Sequence, residues 1–295
     1  MRYPEWKREL PSLPHKLYSE PLMVLVEYYK EHLRRDVDAG KLRPYEFWFL
    51  LRGFLISAAH SYAAICVLLE DKRPKPLMLQ ASILNRSLLE TLGNVLALCQ
   101  APKARSNIRI REAYKNRALT FVRLRERYGK DPKWKEYLDK YQKGLSLWTK
   151  QLRLPHARID NPSAIPDQWP TPGIMVYGSS RRRQPPFLRG NRRSTFKEIY
   201  ESHYSHQSEQ AHQRAAAVGV ALLVDNPEDQ WNPGHGESHI LSSAILFLTC
   251  ILSEIEAKGR YQGHPRLREL WAYLRDLDDE AKDLWGLRYR KLLRA

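Results

Sequence analysis

Apolar residues recur along almost the whole chain at the three-and-four spacing of an α-helix, and no stretch shows the strict alternation of a half-buried strand. That periodicity excludes sandwiches, barrels and doubly wound sheets. The expected fold is all-α, a single helical bundle of about eight helices forming one domain over residues 1–295. The spacing predicts helices at 20–38, 45–70, 77–100, 107–128, 132–153, 195–223, 238–259 and 265–292. Pro44 suits the first turn of the second helix, and Pro74 and Pro76 break the chain before the third. Asp131 and Pro132 read as N-cap and first residue of the fifth. Ser194 or Thr195 can cap the sixth, with Glu198 placed for a capping box.

Two segments fall outside this pattern. Residues 1–19 are charged and interrupted by prolines, and are expected as an extended N-terminal arm. Residues 154–194 hold Pro155, Pro162, Pro166, Pro170, Pro172, Pro185 and Pro186 with scattered Gly and Arg, and read as one long Pro/Arg-rich connection. With 295 residues and 43% apolar content the chain has ample material for a core. The stretch nearest to a membrane span, Gly53 to Leu69, falls short in length and carries His60, so it reads as a core helix. No secretory signal is visible, and Cys66, Cys99 and Cys250 lie far apart in apolar runs with no CxxC pair. A cytoplasmic protein with no membrane partner is expected.

The net charge of +16 is concentrated. Residues 103–130 carry a net +8 and residues 181–197 a net +7, so the rest of the chain is close to neutral. Dense arginine blocks recruit phosphates, and the forked guanidinium suits phosphate oxygens. On the fourth predicted helix Arg109, Asn116, Thr120, Arg123 and Arg127 share one face, away from Ile110, Phe121 and Leu124. In the long connection the block is Arg181, Arg182, Arg183, Arg189, Arg192 and Arg193. Both point to backbone contacts with RNA or DNA, since no zinc-finger spacing or RNP-type aromatic motif offers base readout. A solvated helix face or an acidic protein partner would produce the same pattern.

A second candidate site lies on the sixth predicted helix, where Tyr200, Tyr204, Ser208 and His212 follow at steps of four. Each step turns the side chain by about 40°, so the four line one slowly winding stripe. Arg86 and Glu90 stand four apart on an otherwise apolar helix, spaced for an intrahelical ion pair. One reading is a satisfied polar network that sets helix register. The other is an active site in which His212 transfers a proton, Arg86 holds an anionic group, and Tyr204 and Ser208 position substrate, with Glu90 a further site residue, as in a metal-independent ribonuclease-like phosphodiesterase. His203, His206 and Glu209 give no metal-ligand motif, and no P-loop, dinucleotide fingerprint or nucleophile elbow occurs, so no metal or cofactor is expected. The R-x4-6-H spacing of helical ribonuclease toxins occurs only from Arg8 to His15, across two prolines.

These residues carry a resemblance. The Tyr200, Tyr204, Ser208, His212 run, the Arg86-Ser87-Leu88-Leu89-Glu90 segment and the apolar helix from Ser238 to Ala257 resemble the bacterial domain of unknown function numbered 5677, over roughly residues 45–257. The resemblance implies an all-helical intracellular protein and supplies no reaction. The expected function is therefore a nucleic-acid-associated helical protein, as a subunit of a defence or ribonucleoprotein assembly with other protein subunits, with the hydrolase as the alternative.

Overall fold

The computed structural model describes residues 13–40, 44–70, 77–152, 233–261, 265–277 and 279–293. Every regular element among them is helical: α1 (Leu13–Asp38), α2 (Tyr45–Glu70), α3 (Leu77–Gln100), α4 (Pro102–Tyr128), α5 (Pro132–Leu152), α6 (Pro233–Gly259), α7 (Pro265–Leu277) and α8 (Asp279–Leu284). A π-helical turn, Trp285–Tyr289, and a last α-turn, Arg290–Leu292, follow α8. The all-α class holds, and α2 and α3 occupy the predicted residues.

Three helices start earlier than their periodicity suggested, each for a reason that lies in a proline. Helix α1 begins at Leu13, inside the stretch expected as an extended arm, because a proline in the first turn lacks only an N–H that has no intrahelical acceptor anyway. Helix α4 starts at Pro102, not 107, and α6 at Pro233, not 238. In α6 the Gly234, His235 and Gly236 run forms the first helical turn. Helix α1 stops where Gly40 takes φ +64°, a conformation that favours glycine, and Gly40 N–H donates to the Val37 carbonyl at 3.0 Å. The predicted 195–223 helix and the 154–194 connection lie outside the described residues.

The helices group into two compact units where one bundle was expected: α1, α2, α3 and α6 onward in one, α4 and α5 in the other. In the first, α1 and α2 pack on each other and on α6. Every residue from Ser243 to Glu256 is buried, so α6 is a core helix covered on all sides rather than an amphipathic one. Leu246, Leu248, Ile251, Leu252 and Ile255 are almost wholly removed from solvent, each contributing about 1.5–3 kcal/mol of transfer free energy.

Such a helix can hold polar residues only if their groups are bonded. Thr249 donates to the Ile245 carbonyl at 2.7 Å and Ser253 to that of Thr249 at 2.8 Å, each bonding within its own helix. Trp271 Nε1–H on α7 donates to Ser253 Oγ at 2.8 Å, and Asn85 Nδ2 on α3 donates to Ser243 Oγ at 2.7 Å. These two bonds fix the register of α3 and α7 on α6.

Among the described residues two helices are long and apolar enough to cross a membrane, over Tyr45–Leu69 and His239–Gly259. Sequence reading named only the later part of the first. The windows are 39% and 89% buried within the fold, which explains the apolar composition of α6 as that of a core helix.

Candidate nucleic-acid interface

The α4/α5 unit is a helical hairpin closed by a tight connection. Gly129 N–H donates to the Arg125 carbonyl at 2.8 Å, ending α4. Asp131 Oδ1 then accepts from Lys133 N–H at 2.9 Å, the N-cap expected from the Asp-Pro pair. Between the helices Tyr114, Ala118, Phe121, Leu138 and Leu145 form a small buried core, with Leu124, Trp134, Tyr141 and Trp148 packed around it.

With Ser106, Ile110, Tyr114, Ala118 and Phe121 buried, the opposite side of α4 is determined by helix geometry. It carries Arg105, Arg109, Asn116, Thr120, Arg123 and Arg127. Asn116, Thr120, Arg123 and Arg127 are exposed, while Arg105 and Arg109 are partly covered. Arg109 Nη1 donates to Glu112 Oε2 at 2.8 Å. Arg123 and Arg127 have no carboxylate partner among the described residues. From Arg105 to Arg127 the stripe runs ~33 Å along the helix axis. The spacing of Arg109, Arg123 and Arg127 on one outward face is thus as the sequence suggested.

A second feature of this hairpin escaped sequence reading. Trp134, Tyr137, Tyr141 and Trp148 recur at steps of three, four and seven along α5, and arginines of α4 lie against the aromatic edge they form with Phe121 and Tyr128. The Arg117 guanidinium carbon sits 4.9 Å from the Trp148 ring centre, Arg125 5.4 Å from Phe121 and Arg127 5.3 Å from Tyr128. Tyr128 stacks on Trp134 with ring centres 4.2 Å apart and planes 7° from parallel, and Phe121 stacks on Tyr141 at 5.6 Å. The signal was the aromatic repeat of α5 read beside the arginine spacing of α4.

The other predicted site is divided. Arg86 Nε donates to Glu90 Oε1 at 3.1 Å, with 16% and 34% of the two side chains exposed, so the intrahelical ion pair forms at the edge of the core. His212, Tyr200, Tyr204 and Ser208 lie outside the described residues, as do Arg181, Arg182, Arg183, Arg189, Arg192 and Arg193. His203, His206 and Glu209 also lie outside them. Among the described residues no group of three or more His, Cys, Asp or Glu is placed to hold a metal ion.

The chemically distinctive buried groups belong to the core. Glu254, with no solvent exposure, accepts from Arg288 Nε at 2.6 Å and Nη2 at 2.7 Å in a two-pronged ion pair. Burial works against the charged guanidinium, yet the hydrogen bonds and charge of Glu254 outweigh it and hold Arg288 more firmly protonated than an ordinary arginine. Burial pushes the Cys250 thiol up to about 12 and the Cys99 thiol well above its usual range, the nearby Glu254 charge adding to both. Neither thiol is a nucleophile in this setting, because the thiolate is the reactive form. No family model matches the chain, and no curated protein or solved structure resembles it closely enough to count as a relative.

Proposed function

We propose that this protein binds the phosphate backbone of RNA or DNA through the outer face of α4, with the Arg181, Arg182, Arg183, Arg189, Arg192 and Arg193 segment as a second cationic contact. The observation that carries this reading is the stripe from Arg105 to Arg127, which stands opposite the packed face of α4 and in which Arg123 and Arg127 have no carboxylate partner among the described residues. A stripe of this length presents cations at several successive phosphates. Each one neutralised releases counterion, so affinity grows with the number of contacts and falls with salt. Asn116 and Thr120 interrupt the arginines with uncharged donors of the kind that bond phosphate oxygens.

Backbone binding is independent of sequence, and it fits a protein that acts with other subunits in a ribonucleoprotein or defence assembly in the cytoplasm, where three buried thiols stay reduced. The hydrolase alternative, with His212 transferring the proton, has less support. Its anion-holding residue Arg86 already donates to Glu90. The test is fluorescence anisotropy of a labelled oligonucleotide of arbitrary sequence titrated with the full chain. Binding that weakens steeply as salt is raised is expected, and no binding even at low salt contradicts the proposal.

A further inference from the structure

Helix α2 is packed on one side only. Phe47, Trp48, Leu51, Leu55, Ala58 and Tyr62 are buried, yet just 39% of the Tyr45–Leu69 window is covered, and Phe49 and Val67 keep 54% and 65% of their surface in solvent. At about 100° per residue, the middle of the outward side holds Gly53, Ser57, His60 and Ala64, with Phe49 and Val67 along one margin and Leu50 and Leu68 along the other. All eight are exposed or partly exposed. A Cβ added at Gly53 would meet nothing within 4 Å, so the space over this line is open. From Phe47 to Leu69 the one charged residue is Arg52, at the edge of the packed side.

An uncharged face about 28 Å long, with large apolar side chains exposed at both ends, is the kind of surface that meets a partner. Its chemistry narrows the occupant. Nucleic acid or an acidic peptide would find no cation along its middle. Lipid would take Ser57 and His60, at the centre of the face, deepest into hydrocarbon. A second copy of the helix, reversed, matches it position by position. Turned end for end about the midpoint between Ala58 and Ala59, Phe49 comes opposite Val67, Leu50 opposite Leu68, Gly53 opposite Ala64 and Ser57 opposite His60. Bulky apolar side chains then pair at both ends, small residues lie between them, and the polar groups meet at the centre where they can bond each other. A two-fold axis lying in the interface keeps each pair on its own margin, as an isologous contact requires. A parallel pair would instead set Glu46 against its own copy. We propose that α2 is the contact of a two-fold symmetric dimer, packed antiparallel on α2 of a second copy of this chain. One helix face, roughly 28 by 10 Å, is at the small end for a specific interface, so the dimer is reversible. This is independent of the nucleic-acid reading.

The test is sedimentation velocity of the nuclease-treated full chain from about 1 to 200 μM, over which monomer should pass to dimer. Added salt should strengthen the dimer, because two chains of net charge +16 repel and salt screens the repulsion. Phe49→Glu and Val67→Glu, both at exposed positions, should each weaken dimerisation by about tenfold or more with Tm unchanged. Orientation is read by cross-linking with a short bismaleimide, from which the buried Cys66, Cys99 and Cys250 are shielded. Ser57→Cys chains should cross-link to one another. Phe49→Cys chains alone and Val67→Cys chains alone should not, while a mixture of the two should. A monomer at every concentration, or association that salt weakens, overturns the proposal, and a monomer that co-sediments with phosphatidylcholine vesicles gives the face to lipid. Phe49→Cys chains that cross-link to one another as readily as to Val67→Cys chains also overturn it, by showing a parallel pair.

Discussion

Replacing Arg288 with Met leaves the Glu254 carboxylate in a site without solvent and without its two hydrogen-bond donors. Removing one partner of a buried ion pair costs about 3–5 kcal/mol, because the remaining charge keeps its desolvation cost and loses the attraction that offset it. Arg288 keeps 25% of its side chain in solvent, which moves the expectation to the lower part of that range, about 3–4 kcal/mol. In thermal unfolding this is a fall in Tm of roughly 6–16 °C, at about 2–4 °C per kcal/mol for a domain of this size.

The loss has a sign in pH. In the variant the stranded carboxyl gains more from a proton in the folded state than in the unfolded chain. The folded state therefore binds more protons in the carboxylate range, and stability falls as pH rises through it. The deficit should be full at pH 7 and shrink towards about pH 4.5. Replacing both residues, Glu254→Leu with Arg288→Met, removes the stranded charge and should bring Tm close to wild type or above it. A single variant within about 1 kcal/mol of wild type, or one whose deficit is the same at both pH values, would refute the reasoning.

Two more outcomes follow from the same core. Tyr29 hydroxyl donates to the buried Glu256 Oε2 at 2.6 Å, and Oε1 has no hydrogen-bond partner among the described residues, so Tyr29→Phe should cost about 1–3 kcal/mol in urea denaturation; an unchanged midpoint contradicts the pairing. Burial, with the Glu256 bond behind it, holds that phenol protonated far above its usual range, so the donor persists through any ordinary pH. Cys66, Cys99 and Cys250 are all buried, so a thiol reagent should find none of them in the native protein and all after denaturation. Rapid labelling of the native protein contradicts this.

What could be read from the chain alone was whatever depends on residues close in sequence. The helices at 45–70 and 77–100 are bounded by proline and dense in apolar residues, and both appear as predicted. The Arg86 and Glu90 pair needed only one helical turn, and the outward arginines of α4 only the helical period. The starts at Pro102 and Pro233 were not legible because the apolar periodicity begins only a few residues later, although a proline at a first turn has no hydrogen bond to break. Contacts between helices left no spacing to read. Glu254 meets Arg288 across 34 residues and Tyr29 meets Glu256 across 227. An acid inside the run from Leu246 to Ile255 was nonetheless a visible sign that a buried partner had to exist. The α5 aromatics are spaced for any hairpin core, and only the arginines lying against this aromatic edge distinguish them.

The central claim is that the outer face of α4 contacts phosphates, and the salt dependence of binding measures this most directly. Log affinity for a generic oligonucleotide is followed against log salt concentration for wild type and for the Arg105→Gln, Arg123→Gln, Arg127→Gln triple variant. Each phosphate contact contributes a slope of about 0.7–0.9, so the variant's slope should be shallower by about 2–3, with Tm unchanged because these side chains lie off the packed face. A variant that binds with the wild-type affinity and the wild-type slope would show that this face of α4 is only a solvated helix surface.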